Sequence, residues 1–126
     1  MAWMEIEPED RIVVVDLHGY SMWTALDVAS EKVREAWENG FGYISFIYGA
    51  RGLRHHSEQQ WSRSGKGAIK WKLRGIVHRG EWREWIYYRY SKKHDIGDVA
   101  MSLALRPNAN PREEPTWSPI PEEEYS

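Results

Sequence analysis

The chain has 126 residues and a mass of 14.9 kDa, the size of one domain, and its 41% hydrophobic and 29% charged residues exclude wholesale disorder. It has no Cys, which rules out a disulfide framework, a Cys-ligated zinc site and a thiol nucleophile, and no apolar run approaches the ~20 residues of a membrane helix. The net charge of −2 conceals a division: both ends are acidic, whereas residues 51–93 hold 12 Lys/Arg against only Glu58, Glu81 and Glu84. A basic middle points to an anionic partner.

The acidic start, MAWMEIEPED, lacks the apolar core of an export signal, so a cytoplasmic address is expected. RIVVVDL at 11–17 is β-branched and apolar and reads as a strand; HGYS at 18–21 breaks it, with Ser21 as N-cap. Over 22–39, Leu26, Ala29, Val33 and Trp37 recur at helical spacing, Glu31, Lys32, Arg34, Glu35 and Glu38 fill the other side, and Gly40 stops the helix. GYISFIY at 42–48 is the second strand, parallel to the first across that helix.

Residues 49–65 have neither period and form a long loop. Ile69, Leu73, Ile76 and Val77 predict a second helix over 66–78, and 83–90 and 99–105 predict the third and fourth strands. The reading is α/β: a two-layer sandwich in the order β-α-β-α-β-β with a four-stranded mixed sheet. Residues 1–10 form an acidic N-terminal segment, 11–106 the domain, and 107–126 a Pro-rich acidic tail. Trp3 and Ile6 at the front, and Trp117, Ile120 and Tyr125 at the back, suggest that one or both ends lie across the open face of the sheet.

Two places can carry chemistry. Asp16-Leu17-His18-Gly19 falls where the first strand ends, the carboxyl edge at which parallel sheets bind ligands. Asp16 and His18 are two apart and so share a side of the strand, and a His beside a carboxylate serves as a general base or acid. The second strand ends in Tyr48-Gly49-Ala50-Arg51-Gly52, where Gly49 and Gly52 expose backbone N–H groups that can cradle a phosphate, and Arg51 and Arg54 add forked donors.

Together these motifs resemble the small MutS-related (Smr) domain family over roughly residues 11–106. Val15-Asp16-Leu17-His18-Gly19 matches its LDLHG-type motif, and Ile96-Gly97-Asp98 stands where its last glycine turn precedes the final strand. Tyr48 replaces the His of the family's second motif, the Gly49–Gly52 turn is one residue longer, and the family's paired glycines are reduced to Gly97. His55 and His56 lie close by in the loop.

The resemblance implies a fold similar to the C-terminal domain of bacterial translation initiation factor three. It also implies nicking or cleavage of nucleic acid, either RNA at ribosomes or branched or duplex DNA, with Asp16 and His18 catalytic.

A binding surface is expected beside them. Lys66, Lys70 and Arg74 recur every four residues on one helix stripe, and Trp61 and Trp71 can stack on unpaired bases. RNA cleavage by His18 requires no cofactor, whereas DNA cleavage would place a divalent metal at Asp16. The alternatives are a non-catalytic nucleic-acid or ribosome-binding module, and a protein-interaction adaptor acting through the tail. No membrane partner is expected, and the oligomeric state is not encoded legibly.

Overall fold

A computed structural model describes residues 3–49, 66–88 and 91–122. Among the described residues the chain is an α/β fold with a mixed, open, five-stranded sheet and two helices. Its elements are β1 (Trp3–Glu7), β2 (Ile12–Asp16), α1 (Met22–Glu38), β3 (Tyr43–Ile47), α2 (Lys66–Arg79), β4 (Asp95–Ile96) and β5 (Ala100–Ala104). The sheet order is β1-β2-β3-β5-β4; β2 and β3 are parallel, as expected across α1, and the other pairs are antiparallel.

Alternation along the strands sorts the two faces. Val13, Val15, Ile44, Phe46, Met101 and Leu103 are fully buried in one cluster with Ala25, Ala29 and Val33 of α1 and Ile69, Leu73 and Val77 of α2. Residues of the opposite parity, among them Ile12, Val14, Ser45 and Ser102, are half-buried, and Tyr43 is exposed. Both helices therefore cover one face, and no described helix covers the other. The ladder on the uncovered face includes a hydrogen bond between the Ser45 and Ser102 hydroxyls (2.6 Å).

Three expectations are corrected. The sheet has five strands because β1 pairs with β2 from Trp3↔Asp16 to Glu7↔Ile12 and the two-residue β4 pairs with β5 in place of the strand expected over 83–90. Met4 and Ile6 alternate with Glu5 and Glu7, and Met4 packs against the core, so the N-terminal segment extends the sheet edgewise instead of lying across a face.

Residues 83–88 are not a strand. They continue the turn that follows Gly80, and Ile86 alone makes an isolated bridge, to Leu105. Trp82 and Ile86 are both buried in the core, and the Trp85 and Ile86 amides fold back to donate to the Trp82 carbonyl (2.9 and 3.0 Å), turn bonds that an extended strand cannot make. His94 does part of the missing strand's work. Its Nδ1 accepts from the Ala104 amide (3.1 Å), which fixes the tautomer and leaves Nε2 to donate to the Tyr87 carbonyl (3.2 Å).

The third correction concerns the tail, which docks on α1. Lys32 is fully buried and Glu35 nearly so, although both were expected on the solvent side. The Lys32 ammonium donates to Glu35 (2.8 Å) and to the Ser118 carbonyl (2.5 Å), and the Ser118 amide donates to the other Glu35 oxygen (2.9 Å). Asn39, the C-cap of α1, exchanges two hydrogen bonds with the Thr116 backbone (3.0 and 3.1 Å), and Trp117 packs edge-on against Phe41 with ring centroids 5.5 Å apart.

Candidate active site at the carboxyl edge

β2 and β3 end together, with Asp16 level with Ile47. The Leu17 amide donates to the Ile47 carbonyl (2.8 Å), extending the ladder by one bond before the chain turns. Ser21, extended at φ −63° and ψ 163°, then caps α1 by accepting from the Thr24 amide. The N-cap of the helix thus stands five residues after Asp16 and pins the intervening turn.

Within that turn Asp16 and His18 meet, although β2 ends at Asp16 and the contact is made by the turn and not by a shared strand face. Asp16 Oδ1 accepts from the His18 backbone amide (2.9 Å) and lies 2.5 Å from the ring Nδ1. A carboxylate only accepts, so the proton of this contact sits on Nδ1. The Asp16 side chain is 5% exposed and that of His18 28%, so the acid is held and the imidazole reaches solvent. Asp16, His18, Ile47 and Gly49 line a cleft of about 160 Å³.

Gly49 is required where it stands. A Cβ there would lie 2.6 Å from Val99 Cα, because Gly49 and Tyr48 both donate their amides to the Val99 carbonyl (2.8 and 2.9 Å). Tyr48 points to the helix side of the sheet, fully buried, and its hydroxyl donates to the Gly97 carbonyl (2.5 Å). Burial pushes this hydroxyl up to about 12. Tyr48 is therefore a neutral tie between β3 and the turn before β5.

The cations arrive at the same edge from the helix side. Lys70 bonds Asp98 (2.6 Å), next to Val99, and that hydrogen bond holds the exposed Asp98 carboxyl below its usual range. The Arg74 charge acts on both Asp98 and Tyr48. Trp71 is 62% exposed, with the Arg74 guanidinium 4.9 Å and the Lys70 ammonium 5.3 Å from its ring centroid. Strand parity puts Asp16 and Ile47 on the uncovered face, so the cleft and the cations share an edge but approach it from opposite faces.

Arg51, Gly52, Arg54, Trp61, His55, His56 and the side chain of Lys66 lie outside the described residues. The sequence reading missed Trp23, 69% exposed in the first turn of α1, and the ties made by Asp98 and Val99. A signal for Trp23 existed: it shares a helix stripe with Asp27, Ser30 and Arg34, not with the apolar set.

Among the described residues no group of three His, Asp or Glu side chains is placed to hold a metal, and no helix is long and apolar enough to cross a membrane. No family model, curated protein or solved structure matches the chain.

Proposed function

We propose that the chain binds nucleic acid through its basic edge and cleaves RNA with Asp16 and His18, in the manner of the Smr domains that its motifs resemble. The observation that carries this reading is the Asp16–His18 contact at the mouth of the cleft, with Lys70 and Arg74 at the same edge.

In the reaction, His18 Nε2 takes the proton of a ribose 2′-hydroxyl while Asp16 holds the imidazolium that forms. The 2′-oxygen attacks the adjacent phosphorus, the bond to the 5′-oxygen breaks, and the leaving 5′-oxygen takes a proton from water, to which His18 returns its own. The products are a 2′,3′-cyclic phosphate and a 5′-hydroxyl. The Gly49 turn and Arg51 are assigned to the charge that develops on the phosphoryl oxygens. Because Asp16 Oδ1 is already committed to His18, this route is favoured over DNA cleavage with a divalent ion at Asp16.

A second reading, binding without cleavage, is favoured by Tyr48. The family's second imidazole is absent, and the side chain in its place is buried on Gly97.

End-labelled single-stranded RNA incubated with wild type and His18→Ala separates the readings. Cleavage to cyclic-phosphate ends, lowered at least about 100-fold in the variant with binding retained, is expected. Salt-sensitive binding without turnover leaves the second reading. Unchanged cleavage by His18→Ala removes the mechanism, and absence of binding at low salt removes both readings.

A further inference from the structure

The cleft and the cations approach one edge from opposite faces of the sheet, and this constrains what can touch both. Asp16 and Ile47 point to the uncovered face, whereas Lys70, Trp71 and Arg74 belong to the helix layer. A ligand in contact with both sets must bend over the carboxyl edge within a sheet-to-helix spacing of ~10 Å, about two nucleotides of chain. Duplexes resist bending on that scale, with a persistence length of roughly 150 bp for DNA, whereas an unpaired strand turns freely.

The aromatic side chains on this edge fit the same ligand. Trp71 is exposed and carries the Lys70 and Arg74 cations over its ring, so a base that stacks there exchanges these cation–π contacts for stacking while the two cations turn to its phosphates. Trp23, more exposed still, stands in the first turn of α1, five residues after His18. Both indoles lie on polar helix stripes, outside the core cluster. Paired bases present no free face to an indole; unpaired ones do.

We propose that Trp71 and Trp23 are stacking platforms for unpaired bases, and that the ligand of this edge is a single strand bent across it. The inference rests on the nucleic-acid reading above and narrows it to a substrate class. It also suits the proposed chemistry, since in-line attack by a 2′-hydroxyl needs a nucleotide free to leave helical geometry.

The test is anisotropy titration of a labelled 12-nucleotide RNA as single strand, as blunt duplex, and as a single strand with abasic positions. Wild type is expected to prefer the single strand about tenfold or more and to lose that preference on the abasic strand. Trp71→Ala and Trp23→Ala should each weaken single-strand binding roughly 5- to 100-fold and duplex binding less than about twofold. Trp71→Phe should recover part of the loss. Both sites are exposed, so unchanged circular dichroism and melting are expected.

Equal losses on single strand and duplex, or no loss from either variant, would overturn the proposal while leaving nucleic-acid binding intact. Failure of wild type to bind any of the three overturns the functional reading and this inference with it. Self-association of the wild type that Trp71→Ala abolishes, with RNA binding unchanged, assigns the patch to a second copy of the chain and also overturns it.

Discussion

The ammonium of Lys32, in the middle of α1, donates to the backbone carbonyl of Ser118, 86 residues along the chain. Glu35 and the Ser118 hydroxyl complete its shell. A buried charge is tolerated only when its donors are satisfied, so the tail is part of what lets α1 carry a lysine at this position.

The latch should open in acid. Burial alone would raise the Glu35 carboxyl, but hydrogen bonds from Lys32 and Ser118 outweigh it and hold the group below its ordinary value of 4.5. A carboxylate held down in the folded state contributes stability that is complete above 4.5 and is lost as pH falls through the lower folded value. Limited proteolysis within 107–121 should accelerate over that window in wild type, and Glu35→Gln should flatten the dependence. Lys32→Ala leaves the partner charge uncompensated and should cost about 3–5 kcal/mol in urea unfolding.

At the alkaline end Tyr48 sets the response. Its hydroxyl is raised to about 12 in the folded chain against 10 in the unfolded one, so the stability it contributes is complete below pH 10 and drains away between 10 and 12. The loss amounts to roughly 2–3 kcal/mol. Tyr48→Phe should cost about 1 kcal/mol at neutral pH, from the bond to Gly97, and should blunt the alkaline loss. RNA binding should be unchanged.

Asp16→Asn tests whether the carboxylate sets the tautomer of His18. The amide can still accept from the His18 backbone but no longer obliges Nδ1 to carry the proton. RNA cleavage should fall about 100- to 10,000-fold, with binding changed less than about twofold. Activity near wild type would detach Asp16 from the chemistry.

The end of the docked tail suggests a cleaner truncation than removal of the whole segment. The Tyr20 hydroxyl donates to the Pro121 carbonyl, so Glu122 follows directly from a residue anchored two positions past His18. Deleting 122–126 removes Glu122, Glu123 and Glu124 and keeps the Lys32 latch. RNA affinity should rise roughly three- to tenfold at low ionic strength, and the gain should fade in high salt. Truncation at Arg106 should instead lower the melting temperature.

Much of this molecule was legible because local signals agreed with tertiary packing. Ser21, Ala29, Val33 and Gly40 bound and orient α1; Ile69, Leu73, Ile76 and Val77 are the buried stripe of α2; and Asp16 and His18, two residues apart, meet in the turn after β2.

The errors arose where a distant partner decided. Aromatic residues at 83–90 have strand propensity, but Trp82 and Ile86 were claimed by the core. Lys32 and Glu35 look like a solvated i, i+3 pair until Ser118 covers them. Met4 and Ile6 alternate with glutamates, a signal for β1 that acidity and a short span obscured. Tyr48 was visible at the end of the second predicted strand, yet its role depended on the carbonyl of Gly97, 49 residues away.

Asn39 gives Thr116 one donor and one acceptor, the same exchange that adjacent strands make. That reciprocity makes the tail sensitive to insertions and deletions in a position-dependent way. An extra residue before Thr116 can bulge outward and leave the pairing intact. An extra residue between Thr116 and Ser118 cannot, since matching the amide of Asn39 then puts the wrong carbonyl over Lys32. The segment's selectivity for its own helix lies in that two-residue interval, more than in the prolines that make it look like a linker.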